Sequence, residues 1–296
     1  MPMNRAQFAQ RLKSNKTVWV AGVYDALSAK LVEAAGFEAA MTSGFGVSAS
    51  FLGQPDAELY TMSENLTVVR NVVNAVKIPV IADIDTGYGN AINVMRTVRE
   101  FEAAGVAAVI LEDQLAPKRC PICVGAVEVL SVEEGIAKIE AAAAARRDRS
   151  MVIIARTDVV DEHEAIRRAK LYVKAGADII QPISKCFKSI DGLRELRTQC
   201  GVPLSLQLLG WLERDLSPGQ VEEVAGMATF ALVPLMTAAQ ALHDNLKALA
   251  STHSSKNLPN AVMAHDPFIE FIGFGEIDRL QQRFLRQHAD VALQPS

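Results

Sequence analysis

The chain predicts an α/β fold: a (β/α)8 barrel of the TIM type, followed by a helical extension. Three observations carry that expectation. Short apolar runs alternate with stretches of helical spacing, eight of each, over about 250 residues, the usual size of such a barrel. A phrase recurs at the joints. Glu33-Ala-Ala-Gly-Phe37, Glu102-Ala-Ala-Gly-Val106 and Val173-Lys-Ala-Gly-Ala177 each set a glycine where a helix must stop before a strand begins. The predicted strand ends carry acids, hydroxyls and one arginine, the rim where barrel enzymes build their sites. A doubly wound open sheet would more naturally show Gly-x-Gly-x-x-Gly after its first strand, and none is present.

The elements follow in order. A polar helix over 5–14 precedes a strand over 18–23 that ends near Tyr24-Asp25, then a helix over 26–35. The second strand, 39–42, runs into Thr42-Ser43-Gly44 and a long stretch, 43–62, carrying Gly44, Gly46, Gly53, Pro55 and Asp56. A helix over 63–76 leads to the strand 80–83, which ends in Asp83 and Asp85 followed by Gly87 and Gly89. After a helix over 91–104 comes the strand 107–112, ending at Glu112-Asp113, and a second long stretch, 113–131. The remaining units pair a helix over 132–146 with a strand over 152–156, 163–175 with 178–180, and 190–198 with 204–208. A helix over 218–225, a strand over 230–234 and a helix over 237–250 complete the count. Residues 1–250 are thus expected to form the barrel, with 113–131 as a gating loop, and 251–296 a C-terminal helical segment. Within that segment Phe268, Phe271, Phe274, Ile277 and Leu280 are apolar and fall outside the eight units. They suit either an oligomer contact or packing back on the barrel.

Composition bounds the partners. At 296 residues the chain buries a generous core, and 50 % hydrophobic with 22 % charged residues is ordinary for a globular protein. A formal charge of −4 gives no reason to expect nucleic acid or an anionic membrane. The start, Met1-Pro-Met-Asn-Arg-Ala-Gln-Phe8, is too polar for a signal peptide, and no apolar run is long enough to span a membrane. Four cysteines, Cys120, Cys123, Cys186 and Cys200, are too few for a disulfide scaffold, so a reducing cytoplasm is expected.

The rim chemistry is specific in kind. Two carboxylates at the end of a buried strand call for a cation or a hydrogen-bond network, unless they cap the helix that follows. Asp83, Asp85 and Glu112 make a hard oxygen set suited to Mg²⁺ or Mn²⁺. Arg156 suits a substrate carboxylate held in a fork, or a rim ion pair with one of those acids. In the second long stretch, Lys118 and Arg119 precede Cys120, and neighbouring cations make a thiol a better acid or nucleophile. A lone loop cysteine is otherwise often inert. Cys120-Pro-Ile-Cys123 also has Cys-x-x-Cys spacing, but a structural zinc needs four ligands and no second pair is within reach. A redox pair normally opens a helix in a much smaller unit. The histidines, His163, His243, His253, His265 and His288, fall on helices or polar tails and read as structural or solvated.

Taken together, Tyr24-Asp-Ala-Leu-Ser-Ala-Lys30, Ser43-Gly44, Asp83-Ile-Asp-Thr-Gly-Tyr-Gly-Asn90, Leu111-Glu-Asp-Gln114, Pro117-Lys-Arg-Cys120 and Ala155-Arg-Thr-Asp158 resemble the isocitrate lyase and phosphoenolpyruvate mutase superfamily, over nearly the whole chain. The resemblance implies a barrel whose last helix is swapped with a neighbour, usually in a homotetramer. It implies Mg²⁺ at Asp83, with Asp85 and Glu112 holding metal-bound water, and a small carboxylate substrate. Ser43, Gly44, Asp56, Arg156 and Gln207 would bind that substrate, and Cys120, Lys118, Tyr24 and Arg156 would be catalytic. Mutases of the family carry Asn-Ser after the lid lysine and no cysteine. Lys118-Arg-Cys120 therefore resembles the carbon–carbon lyase branch, in which the cysteine protonates the enolate left after cleavage.

Two departures stand out. That branch continues Lys-(Lys/Arg)-Cys-Gly-His, whereas Pro121 and Ile122 stand here, removing a flexible hinge and a histidine. It also shows an Asn and a Glu just after strand seven, where this chain reads Ser205-Leu-Gln-Leu-Leu-Gly-Trp211, apolar apart from Gln207. A smaller or more hydrophobic acid than a tricarboxylate is expected. The leading expectation is a Mg²⁺-dependent lyase that cleaves a carbon–carbon bond of a small 2-hydroxy di- or tricarboxylate, methylisocitrate- or dimethylmalate-like, through an enolate to give an α-keto acid. Decarboxylation or hydrolysis of an oxaloacetate-like acid, a phosphonate-related variant, and a silent metabolite-binding barrel are the other readings.

Overall fold

The computed structural model describes residues 2–14, 16–121, 123–124 and 127–285. Ile122 of the gating loop, His288 and the end of the C-terminal segment lie outside the described residues.

Eight parallel strands close into a barrel in chain order, with β1 paired to both β2 and β8. They are β1 (Val18–Val23), β2 (Ala39–Thr42), β3 (Val80–Asp83), β4 (Ala108–Glu112), β5 (Val152–Thr157), β6 (Ile179–Pro182), β7 (Leu204–Gln207) and β8 (Ala225–Phe230). Helix α1 (Arg5–Leu12) precedes β1, and α2 (Ala26–Ala34), α3 (Gly44–Val47), α4 (Met62–Ala75), α5 (Ala91–Ala103), α6 (Val132–Ala145) and α7 (Glu162–Ala175) run through the first five crossovers. They are followed by α8 (Ile190–Cys200), α9 (Trp211–Arg214), α10 (Pro218–Val224) and α11 (Val233–Thr252). The strands are buried on both faces, so they read as continuous apolar runs rather than alternating ones. One core fills the barrel: Val20, Met41, Ile81, Ile110, Ile154 and Met227 pack with Phe8 and Leu12 of α1. A larger one lies between strands and helices, around Val98, Phe101, Leu111, Ile153 and Leu196.

The eighth strand differs from expectation. The apolar run 230–234 is not a strand, because β8 is Ala225–Phe230 and the preceding helix ends at Val224. Its small residues hide it from a β reading, yet they are needed: a Cβ on Gly226 would lie 2.4 Å from the Leu12 carbonyl oxygen. The run after it instead carries Ala231 and Leu232 to the rim and opens α11 at Val233. The stretch 43–62 is likewise not all loop, since α3 continues into a π-helix, Ser48–Leu52.

Cα proximity divides the chain into two compact units, Met1–Thr237 and Ala238–Ser296. Within the second, α12 (His265–Ile272) and α13 (Phe274–Phe284) meet at Gly273, and Asn245 exchanges two hydrogen bonds with Asn260. None of the residues of α11, α12 and α13 is buried. Among the described residues no helix is long and apolar enough to cross a membrane.

Candidate active site

The C-terminal strand ends gather around one cavity. After β2, the Ser43 hydroxyl accepts from the Gly46 N–H at 3.3 Å and starts α3. The Gly44 N–H then donates to Asp83 Oδ2 at 3.2 Å. A Cβ at this glycine would lie 2.9 Å from both Asp85 Oδ1 and the Tyr60 hydroxyl, so only glycine fits there. After β3 the backbone turns sharply. Asp85 (φ 49°) and Tyr88 (φ 60°) adopt left-handed conformations that non-glycine residues seldom hold without a reason. Side chains pin the turn: Asn65 Nδ2 on α4 donates to the Asp83 carbonyl (2.9 Å) and the Tyr88 hydroxyl (2.7 Å). That hydroxyl donates onward to Asp85 Oδ2 at 3.0 Å, and the Asp85 N–H holds Asp83 Oδ1 at 3.1 Å. Neither acid caps the next helix, because Asn90 does so through the N–H groups of Ile92 and Asn93. The helix-capping reading of this acid pair is therefore not met, and a hydrogen-bond network holds both carboxylates in place.

Strand pairing sets Glu112 of β4 opposite Arg156 of β5, and Arg156 Nη1 lies 2.9 Å from Glu112 Oε2. Its Nε and Nη2 both donate to Asp158 Oδ1 at 3.0 Å. The rim ion pair is therefore real, and Arg156 is at the same time one of the residues that line the cavity. Lys118 folds in from the gating loop and is 2 % exposed. Its Nζ stands 2.5 Å from Asp85 Oδ1, 3.1 Å from Asp56 Oδ1 and 4.0 Å from Glu112 Oε1. The Lys118 N–H donates to Glu58, whose other oxygen accepts from the Thr86 hydroxyl.

Charge is in surplus here. Among the described residues, Asp56, Asp83, Asp85, Glu112 and Asp158 are met by the two cations Lys118 and Arg156. Burial pushes Asp83 up to about 6, with Lys118 pulling the other way and Asp85 adding to the rise. Burial likewise pushes Glu112 well above the usual carboxylate range, against Arg156 and Lys118. Burial opposes the Lys118 charge, but Asp85, Glu112, Asp56 and Asp83 outweigh it and hold the ammonium well above the ordinary lysine value. Among the described residues Asp56 Oδ1, Asp85 Oδ1 and both Glu112 oxygens accept no hydrogen bond, so their compensation is ionic alone. Hard oxygens, buried, orphaned and short of positive charge, suit a dication. No three of the described acids, histidines or cysteines close around one point as a full direct ligand shell would. Mg²⁺ does not need such a shell, because it commonly keeps several waters and takes one or two carboxylates.

Of the residues singled out from the sequence, Ser43, Asp56, Asp83, Cys120, Arg156 and Gln207 line the cavity. Asp85, Glu112 and Lys118 stand close behind that wall, and Gly44 supports it through Asp83. Tyr24, at the end of β1, is half-buried with its Cβ against Gly46 and is not among the residues that line the cavity. Sequence reasoning missed Gln181, whose side-chain oxygen accepts from the buried Ser205 hydroxyl at 2.7 Å and which lines the cavity with Phe45 and Leu232. The signal was present, since β6 runs two residues past the predicted strand and Gln181 is its polar rim position. Asp158 was placed on the rim, but its part in holding Arg156, with Gln114 donating to its second oxygen at 2.8 Å, needed the structure.

A closed (β/α)8 barrel whose strand ends gather buried acids, a clamped arginine and a loop thiol around one cavity defines an enzyme of the organic-acid-handling kind. The family described as phosphoenolpyruvate phosphomutase matches residues 8–250, and the chain belongs to it. It is similar to the 2,3-dimethylmalate lyase of Eubacterium barkeri, 36 % identical over 293 residues, with 95 % of this chain and 99 % of that protein covered. It is also 40 % identical over 208 residues to oxaloacetate decarboxylase 1 of Pseudomonas fluorescens, covering 70 % of this chain and 71 % of that one. Among solved structures, a phosphonopyruvate hydrolase in complex with oxalate and Mg²⁺ superposes with a TM-score of 0.86 at 32 % identity, covering 96 % of this chain and all of that one.

Proposed function

We propose that the protein is a Mg²⁺-dependent carbon–carbon lyase that cleaves a small 2-hydroxy dicarboxylate to an α-keto acid. The observation that carries this reading is that Cys120 of the gating loop lines the same cavity as Ser43, Asp83 and Arg156. A proton donor and an anion-binding wall therefore face one space. Asp83, with Asp85 and Glu112 beside it, is the set that would hold the metal. Bound there, Mg²⁺ would supply positive charge for the oxygens of the α-keto product as they form.

The chain's own residues do the rest. Arg156, clamped by Glu112 and Asp158, orients the substrate carboxylate, and Ser43 binds an oxygen of the same group. Asp56, the cavity-facing acid outside the metal set, takes the hydroxyl proton. The C2–C3 electron pair moves onto the C3 carboxylate as the C2 carbonyl forms. Cys120 then delivers a proton to C3, releasing the second carboxylic acid; the thiol recovers its proton from solvent as Asp56 gives its own up to solvent. Pro121 stiffens the loop where a flexible hinge was expected, and Lys185 Nζ holds the Pro121 carbonyl at 2.7 Å.

The similarity to an oxaloacetate decarboxylase favours a second reading, loss of CO₂ from a 2-oxo dicarboxylate at the same wall. The test is a Mg²⁺-dependent assay of 2-methylisocitrate, 2,3-dimethylmalate, citramalate, oxaloacetate and phosphonopyruvate, with products read by NMR. Cleavage of a malate-like acid to an α-keto acid supports the lyase reading. Turnover of oxaloacetate alone replaces it with the second. We further propose a homotetramer, because Phe274, Ile277 and Phe284 are 52 %, 52 % and 60 % exposed in the single chain. Light scattering at micromolar concentration should report a mass about four times that of one chain, and a monomer would overturn this part.

A further inference from the structure

The cavity does not end at Gln207. Pro121, Ile183, Ser184, Leu209 and Leu232 form part of its wall and also line a second depression that continues outward, with Val124 and Lys185. From the acids at β3 and β4 toward β6 and β7, the lining therefore changes from carboxylates, through the neutral amides of Gln181 and Gln207, to an aliphatic trough.

The trough is held in shape. The Ile183 N–H donates to the Thr157 carbonyl at 3.0 Å, and Trp211 Nε1 donates to the Ser184 carbonyl at 2.7 Å. The Leu208 N–H donates to the Thr229 carbonyl at 2.8 Å. Among the described residues the cation lining it is Lys185, which directs its ammonium at the carbonyls of Pro121 (2.7 Å) and Val124 (2.9 Å). Arg156, the cation of the inner cavity, is already shared between Glu112 and Asp158. A charged end on the substrate's far arm would have to give up water for a wall of side chains from Leu209, Leu232 and Ile183. An alkyl arm would gain by the same move.

We propose that the substrate's arm beyond the reacting carbons is an uncharged alkyl chain longer than methyl, bound in the trough of Ile183, Leu209 and Leu232. This rests on the reading of the inner cavity as an α-keto-acid site, and it narrows that reading to alkyl-substituted 2-hydroxy acids over tricarboxylates.

Binding separates the two claims without turnover. With Mg²⁺ present, calorimetric titration of the full-length protein compares pyruvate, 2-oxobutanoate, 2-oxopentanoate and 2-oxoglutarate. The last two have the same carbon count and differ in one terminal carboxylate. Affinity should rise about threefold per added methylene up to 2-oxopentanoate. The parent should bind 2-oxoglutarate at least about tenfold more weakly than 2-oxopentanoate. Leu209→Arg should reverse that pair, and Leu209→Gln, a milder change, should flatten the methylene series. Equal or tighter binding of 2-oxoglutarate by the parent overturns the proposal and gives Lys185 a carboxylate to hold. A flat series from pyruvate to 2-oxopentanoate also overturns it, while leaving the α-keto-acid site standing. If none of the four binds, the inner-site reading falls and takes this one with it. The expected binding pattern without cleavage of any 2-hydroxy acid would support the trough and remove the lyase.

Discussion

Glu112 and Asp113 are neighbours at the end of β4, both buried, and they live in opposite worlds. Asp113 points away from the barrel axis and accepts four hydrogen bonds. Three come from the Thr157 hydroxyl (2.8 Å), the Tyr172 hydroxyl (2.8 Å) and the Asp158 N–H (2.9 Å), and Arg168 Nη1 supplies the fourth at 3.0 Å. Glu112 points the other way, and neither of its oxygens accepts a hydrogen bond from the described residues. It is met only by the charges of Arg156 and, more distantly, Lys118. A saturated carboxylate holds loops together. An unsaturated one of the same burial is costly by itself and is kept where something else is to be bound. The same contrast separates Asp158, which clamps Arg156, from Asp56 and Asp85, whose orphaned oxygens turn toward Lys118.

The sharpest way to break this comparison is to truncate one acid from each side. Asp83→Ala should lower turnover by about a thousandfold or more, because the developing charge loses its cation. Its folding should suffer less than that of Asp113→Ala, since removal of a buried acid offsets the loss of the acceptors for the Gly44 and Asp85 N–H groups. Full activity of this variant, or activity that persists when the metal is chelated, would remove the metal from the mechanism. Asp113→Ala should do the reverse. It strands Arg168, Tyr172 and Thr157 in the interior and should cost about 3–5 kcal/mol of unfolding free energy by urea titration. The part that still folds should retain turnover within about tenfold. An Asp113→Ala protein as stable as the parent would mean that the saturated network is not structural.

Cys120→Ser gives a smaller effect that refines the functional side. A hydroxyl is a far weaker acid than a thiol, so carbon–carbon cleavage should drop about a hundredfold while Mg²⁺ binding and folding are retained. Equal turnover by the serine variant would make the loop thiol a bystander. Decarboxylation that survives when cleavage is lost would move the protein to the oxaloacetate reading.

Much of this was legible in residue order, and the reasons are physical. Buried parallel strands advertise themselves as apolar runs, so seven of the eight strands and the rim positions of Asp83, Glu112 and Arg156 could be placed directly. β8 could not, because it opens on Ala225 and Gly226, and the glycine answers to the close approach of Leu12 on α1, a long-range demand invisible in local pattern. The division of labour between Glu112 and Asp113 was hidden too. Which of two adjacent acids faces inward depends on strand register and barrel tilt, and a shift of one residue exchanges them. Tyr24 stands at the end of β1 with its Cβ against Gly46 of α3, a close approach that the local sequence pattern does not reveal. Gln181 was overlooked because an uncharged amide at a strand end looks like any other polar stop.

The finest test of the contrast is its dependence on pH. In the metal-free folded protein the Asp83 carboxyl is pushed up to about 6 from an ordinary 3.8, so between those values the folded state holds a proton that the unfolded chain has released. Stability from this group is therefore fully present below about pH 4 and is lost as pH rises through about 6, and Glu112 shifts in the same direction. The unfolding free energy of the metal-free protein, from urea titration, should fall across that window by an amount on the order of 1 kcal/mol more than that of Asp83→Asn, which has no proton to lose there. Saturating Mg²⁺ should reverse the slope, because the cation favours the ionised carboxylate and its own binding strengthens as the proton leaves. Asp113 is raised by burial as well, so both proteins share its contribution and the difference between them isolates the rim. Identical pH profiles for parent and Asp83→Asn would show that the surplus charge of the rim is already relieved without a metal, and the distinction drawn between the two neighbouring acids would lose its energetic basis.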